Sequence, residues 1–458
     1  MRILLPLIFL YLSLFFLWGF KDLKKFFLFT GVFTIPFAID YGFLASPHVG
    51  WVSGVFIRLS DLSFLLLPVV LLAGGSARIS LLPRISLPAM CFVMACLLSL
   101  ANSTAAGYTC YQVFQVASIV FMYLLIAGNA LTREEDMKLV VKFLLISLLF
   151  QSVLSIFQFT TGIDINFRTG QETSFMTLGE GLVRSFGTIG RPNAFGGYIV
   201  PLILLAEVQI ISGIEKRRGL AWVAMLLGVA ALLFSFSRGA WTSFAVANLF
   251  LVAVAARRRL DWLRRLLLAQ LAVVVALLPL SYLIMERIFG YDANAAWSRV
   301  PLMKLAWNMI ADHPFLGVGV NTFLNVAYKY ITPDIAQAWV GEVHNMYLLV
   351  FAEAGIVGLV TFLWLMGAMF REASRLSRDS DPFLAALGLG GMAAMVAVGT
   401  HMFVDMYSGS IMLDLLFLLA AIFCAGNRVS LKSRSEAPAP VPQRVISLPA
   451  GRPAGATL

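Results

Sequence analysis

The sequence predicts an all-α, many-spanning membrane protein, and three observations carry that expectation. Of 458 residues, 60% are hydrophobic and only 13% charged, with a mean hydropathy of +0.87. A soluble domain of that length needs a polar exterior that this composition cannot supply. Apolar runs of about 20 residues, enough to cross a bilayer as a helix, recur along the whole chain. Lys and Arg gather between these runs, in alternate loops.

The first run, 3–19, carries bulky Leu, Phe and Trp where a cleavage site needs small residues, so it reads as an uncleaved span. Further runs follow at 26–43, 61–75, 87–101, 110–128, 139–160, 194–213, 219–236, 239–256, 263–285, 344–370, 383–404 and 410–425. The 61–75 run is short, and 219–236 almost touches 239–256, so we expect about 12–14 transmembrane helices. One set of loops, including Lys21–Lys25, Lys216–Arg218, Arg257–Arg259 and the tail, holds 24 of the 34 Lys and Arg residues. The positive-inside rule makes that set cytoplasmic. The two long loops, about 161–193 and about 286–343, then lie outside the cytoplasm. Within the second, residues 298–311 show a helical pattern with Val300, Met303, Trp307 and Ile310 on one face. Pro314 ends it, because the residue before a proline is pushed out of helical geometry. Residues 1–426 are expected to form the transmembrane domain. From Asn427 to Leu458 the chain is rich in Pro, Ala, Ser and Arg and reads as a disordered cytoplasmic tail.

Composition also excludes functions. The formal charge is +10, but the basic residues punctuate apolar segments, as contact with membrane lipids and topology require, and form no nucleic-acid surface. Cys91, Cys96, Cys110 and Cys424 have neither zinc-ligand nor disulfide spacing. No inverted repeat of the kind many transporters show is visible.

A few polar residues at the outer boundary stand out. His344, in Glu-Val-His344-Asn345-Met-Tyr347, opens an apolar helix after the longest polar stretch between apolar segments. An imidazole at the water–hydrocarbon boundary can titrate and still face a membrane-bound ligand. Arg238 occupies the tight connection Phe236-Ser237-Arg238-Gly239 between two runs, where an anionic partner would lower its cost. Arg191-Pro192-Asn193 precedes another run, with Pro192 at a helix start and Asn193 placed to order that entrance. Arg299 opens the loop helix, where a cation opposes the macrodipole. His401 and Asp405, four apart, can face each other. Glu353 projects from the face opposite His344, about 13 Å along the helix, so the two share a site only if the helix breaks. Gly355 and Gly358 read as close-packing positions. For each cation and histidine the plainer reading is a side chain that holds a helix end or reaches lipid phosphate.

Taken in order, Gly187-Thr-Ile-Gly-Arg191-Pro192-Asn193, Ser235-Phe-Ser237-Arg238-Gly239, Arg299 with Trp307, His313-Pro314-Phe-Leu-Gly317-Val-Gly319, and His344-Asn345-Met-Tyr347 with Glu353-Ala-Gly355 resemble the O-antigen ligase and O-antigen polymerase superfamily of bacterial envelope enzymes. The similarity covers roughly residues 185–360. It implies a many-helix transferase of GT-C-like architecture with a helical extracytoplasmic loop, at the bacterial inner membrane, its active site facing the periplasm. It implies an undecaprenyl-pyrophosphate-linked glycan donor, a lipid A-core or growing glycan acceptor, and inverting transfer without metal or other cofactor. By the same resemblance His344 and Arg238 are the catalytic candidates. Arg299, Arg191, Asn193, Asn345 and Tyr347 are the substrate-binding ones. Ligation of a surface polysaccharide is the leading expectation, and O-antigen or exopolysaccharide polymerisation is the alternative. Protein O-glycosylation and small-anion (inorganic carbon) transport are further alternatives.

Overall fold

In hydrocarbon every backbone N–H and C=O must be satisfied within the protein, which helices do for themselves. The computed structural model describes residues 22–37, 40–44, 52–73, 83–165, 177–178, 182–212, 219–258, 260–289, 297–333, 335, 341–407 and 409–436. The expected span at 3–19 and residues 437–458 lie outside the described residues.

Helix α1 (Leu23–Phe33) is followed by an antiparallel hairpin, β1 (Asp40–Phe43) and β2 (Val55–Arg58), then by α2 (Leu59–Ala73) and α3 (Ser86–Leu98). Helix α4 (Ala106–Val120) runs on through a π-helical stretch, Phe121–Ala127. Helix α5 (Glu134–Thr161), the short hairpin β3 (Thr177–Leu178) and β4 (Leu182–Val183), α6 (Pro192–Ser212), α7 (Gly219–Phe234) and α8 (Arg238–Arg258) come next. They lead to α9 (Leu260–Leu277), α10 (Ser281–Phe289), α11 (Val300–Asp312), α12 (Phe323–Val326), α13 (Met346–Leu376), α14 (Pro382–His401) and α15 (Ser410–Glu436).

Among the described residues eight helices are long and apolar enough to cross a membrane, and Leu59–Ala73, Ser86–Asn102 and Gly219–Phe234 are shorter apolar helices. The chain is an all-helical, multi-pass membrane protein. Helices α6 and α14 are apolar around their whole circumference and are buried in the bundle, as such helices must be. Glycine lets them meet their neighbours: a Cβ on Gly196 would lie 2.5 Å from that of Ala240 on α8, and one on Gly390 3.1 Å from Leu205. The Leu260–Phe289 span has only 11% of its most apolar window buried, so it faces lipid.

Two expectations change. Helix α11 buries Leu302, Leu305, Ala306, Met309 and Ile310, while Val300 and Trp307 are exposed. Its buried face is rotated from the one the apolar pattern suggested but overlaps it: Ile310 is common to both, Met303 is partly buried, and Trp307 meets Phe351 of α13 edge-on. Helix α15 continues to Glu436, ten residues into the expected tail. There the Asn427 amide donates to the Glu372 carbonyl and carboxylate, both at 2.9 Å, and Arg428 donates to carbonyls of Gly128 and Leu131.

Two irregular loops enter the bundle, and helix side chains satisfy their backbone. Gln158 of α5 accepts from the N–H groups of Phe186 and Gly187 (3.1 and 2.8 Å) and donates to the Gly187 carbonyl (2.8 Å). Gln151, two turns earlier, accepts from Thr188 N–H (3.0 Å) and donates to its hydroxyl (2.8 Å). The second loop, 314–322, docks into a break in α13. Gly355 has φ 66° and ψ −169°, so the helix leaves its path there. Ala352 and Glu353 carbonyls then accept from Val318 and Gly319 N–H groups, both at 2.9 Å, and Ile356 N–H donates to Pro314 carbonyl at 2.8 Å. The Glu353 carboxylate accepts from Phe323 N–H (3.1 Å), and Asn102 donates to Gly317 carbonyl (2.9 Å). Gly355 is thus the break itself as well as a packing position.

A Cβ on Gly355 would lie 2.2 Å from the Phe315 backbone, in a conformation that L side chains rarely adopt. Gly355→Ala should cost at least about 1–3 kcal/mol of stability. Gly367→Ala, at a helical position where a Cβ would meet nothing within 4 Å, should leave it almost unchanged. Thermal unfolding of the purified variants checks both; equal melting temperatures would remove the strain at Gly355 from this account.

Candidate active site

The site is built where helix ends meet on the face that the charge distribution assigns to the outside. Asn345 caps α13: its side-chain oxygen accepts from Leu348 N–H at 3.0 Å, satisfying one of the orphan donors of the first turn. His344 immediately precedes that cap, half-buried, with Nδ1 3.0 Å from the Glu342 carbonyl oxygen. A carbonyl only accepts, so Nδ1 carries the hydrogen of this bond. In the neutral ring Nε2 is then the basic nitrogen.

Three consecutive carbonyls of the turn that follows α14 hold this corner. Met402 carbonyl accepts from Met346 N–H (2.8 Å), Phe403 carbonyl from the Asn345 amide (3.1 Å) and Val404 carbonyl from Arg299 Nη1 (2.7 Å). Tyr347 hydroxyl donates to Gly399 carbonyl at 2.8 Å one turn earlier. The same turn reaches Arg238 through its neighbour. A Cβ on Gly239 would lie 2.6 Å from Val404 Cγ2 and 3.6 Å from the His401 ring. Buried His401 is fixed by Tyr407, its Nδ1 lying 3.1 Å from the hydroxyl. His401 therefore pairs through its ring with Tyr407, whereas Asp405 meets it through main chain, its N–H donating to the His401 carbonyl at 3.0 Å.

Arg238 opens α8 after a sharp turn in which Phe236 takes φ 49°. Two other outer arginines occupy the carbonyls of that turn. Arg184 Nε donates to Ser235 and Arg287 Nε to Phe236, each at 3.0 Å. Arg184 also donates to the Asn193 side-chain oxygen at 3.0 Å, which ties the start of α6 to the start of α8. Arg191 is exposed and faces the carboxyls of Glu342 and Asp405. Glu342 is buried, and burial, with Glu353 nearby, pushes its carboxyl well above the usual carboxylate range despite the opposing charge of Arg191.

The turn Met402–Val404 thus meets Arg299, Asn345 and Tyr347 directly, while His344 stands beside it in sequence next to Asn345 and Arg238 next to Gly239, which packs on Val404. Arg191 and Asn193 stand at the neighbouring start of α6. Asn345 and Tyr347 use polar atoms on the scaffold, so they position the corner. The sequence reading missed Arg184, Arg287, Glu342 and the turn itself. Arg184 and Arg287 bond to main-chain carbonyls, and main-chain acceptors leave no side-chain signature in sequence.

Residues 223–363 match the family model described as O-antigen ligase. Over these residues, under a third of the chain, the protein is similar to the O-antigen ligase family. The matched segment runs from within α7 into α13 and contains Arg238, Arg299 and His344, but the turn Met402–Val404 lies beyond it. A search of curated proteins finds no match. Within the O-antigen ligase segment the cations precede the histidine in sequence.

Because Glu342 holds a proton more tightly folded than unfolded, it favours folding most at low pH. That contribution is lost as pH rises through its elevated folded value. Glu342→Gln should flatten the decline of melting temperature between acidic and alkaline buffer, and a slope identical to that of the wild type would contradict the assignment. Asn345→Ala should cost about 1 kcal/mol through loss of the cap. Asn345→Asp keeps the cap acceptor but turns an oxygen on the Phe403 carbonyl, so it should also melt below the wild type.

Proposed function

We propose that the protein is a membrane glycosyltransferase. It moves a glycan from an undecaprenyl-pyrophosphate donor to an acceptor hydroxyl on the outer face of the bacterial inner membrane. The observation that carries this reading is His344, whose Nδ1 bonds to the Glu342 carbonyl and leaves Nε2 as the basic nitrogen of the neutral ring, next to Asn345, which shares the turn 402–404 with Arg299. A lipid-linked glycan as substrate follows from the O-antigen ligase match. On that description we take ligation onto lipid A-core over polymerisation on a growing glycan. The transmembrane domain, residues 1–426 with the end of α15 to Glu436, would house the whole reaction.

Transfer outside the cytoplasm needs a preactivated donor, and a sugar pyrophosphate carries its own leaving group. In this mechanism the acceptor oxygen attacks the anomeric carbon from the side opposite the pyrophosphate. As that bond forms, the bond from the anomeric carbon to the phosphate oxygen breaks and configuration inverts. The acceptor proton passes to His344 Nε2. The electron pair leaves with the lipid pyrophosphate, whose growing charge Arg238 and Arg299 stabilise as fork-shaped donors. Arg191 lies at the rim, where it would meet the approaching anion. Because the guanidinium groups take the part a divalent cation plays elsewhere, the reaction proceeds without metal.

With purified protein, lipid-linked glycan and acceptor, His344→Ala should lower turnover by about 10²–10⁴-fold. Arg238→Ala and Arg299→Ala should each lower it by about 10²–10³-fold. EDTA should leave the rate unchanged. Full activity in a well-folded His344→Ala protein would rule the mechanism out, and loss of activity on chelation would restore a role for metal.

A further inference from the structure

A second charged cluster lies apart from this site, in the half of the chain before the O-antigen ligase segment and in the last helix. Arg58 on β2, Asp61 on α2, Asp414 on α15 and Tyr123 in the π-helical stretch are all buried, with Asp414 and Tyr123 fully enclosed. Arg58 supplies both oxygens of Asp61. Its Nη2 donates to Oδ1 at 3.0 Å, while its main-chain N–H and Nε donate to Oδ2 at 3.0 and 3.1 Å. Its remaining nitrogen, Nη1, donates to Asp414 Oδ2. Asp414 Oδ1 and the Tyr123 hydroxyl, both buried, have no hydrogen-bond partner among the described residues.

Counting charge shows what is missing. Two carboxylates share one guanidinium, so full ionisation would leave one uncompensated negative charge in the bundle interior. The titratable groups that face Asp414 are Arg58, Asp61, Tyr123 and, on α6, Tyr198, whose hydroxyl is 3.4 Å from Ser147 of α5. None of these but Arg58 brings a positive charge. A buried carboxylate without its own counter-charge takes up a proton instead. Asp61 has a donor on each oxygen, whereas Asp414 has a bare one. We propose that Asp414 is a proton-binding site, holding one proton on Oδ1 so that the cluster of Arg58, Asp61 and Asp414 is neutral. The proton comes from water and returns to it, with no other reactant. In that state the cluster joins β2 and α2 to α15, 356 residues apart in sequence, without net charge.

Infrared difference spectroscopy on the purified full-length protein in detergent at neutral pH tests this. Asp414→Asn, in which an amide replaces a neutral carboxyl, should fold. It should lack one component of the protonated-carboxyl band that shifts in D2O. Asp61→Asn removes the competing negative charge, so Asp414 should ionise against Arg58 and the same component should vanish although Asp414 is still present. The second variant also reads the site if the first fails to fold. An unchanged protonated-carboxyl band in Asp414→Asn, or the component surviving in Asp61→Asn, would overturn the assignment. So would a wild-type melting temperature that rises when choline is exchanged for sodium and loses that response in Asp414→Asn, since an alkali cation would then supply the charge.

Discussion

Irregular backbone inside an apolar bundle is tolerable only where each of its polar groups finds a partner, and this requirement organises the structure. The break at Gly355 shows how it is met. Opening one turn of α13 frees the Ala352 and Glu353 carbonyls and the Ile356 N–H, and the loop 314–319 supplies their complements. Helix and loop exchange hydrogen bonds, so the break costs few unsatisfied groups. Gln151 and Gln158 do the same for the loop at 186–188, with side-chain amides in place of an opened helix. The first loop leads directly to the start of α6, where Arg191 and Asn193 stand, and the second is bound into α13, the helix that His344 and Asn345 open.

The fold class was legible because hydropathy and charge placement respond to the bilayer, whatever the packing partners. Individual faces were less so. Helix α11 shows why: Val300 and Trp307 are as apolar as the residues it buries, and only its docking against α13 decides between the faces. The short apolar helices, α2, α3 and α7, leave the number of crossings to tertiary context in the same way. The helical start of the tail was hidden because its anchors, Asn427 and Arg428, are polar residues in a polar segment.

At the candidate site, the chemistry-bearing side chains were readable and their supports were not. Arg238, Arg299 and His344 stand out because a charge or an imidazole at a membrane boundary needs a reason. Asn345 and Tyr347 stood out for their place beside His344, yet their contacts are those of scaffold. Glu342 was quoted only as part of a motif, since nothing in sequence shows that it is buried between Arg191 and Glu353. Gln151 and Gln158 sit in an apolar run, and nothing in the sequence links them to the loop at 186–188. Their function appears only when the loop they hold is seen.

The turn at Met402–Val404 has an implication for how such a site can change over time. What it offers to hydrogen bonding are oxygens of the peptide chain, common to all twenty amino acids, so its side chains are held by packing alone, Met402 in the core and Phe403 on Tyr347. Selection would then be felt at a distance as well, on His401, Tyr407 and Gly239, which shape the path of the turn. A graft of residues 223–363 into a foreign scaffold would carry the cations and the imidazole but leave their seat behind.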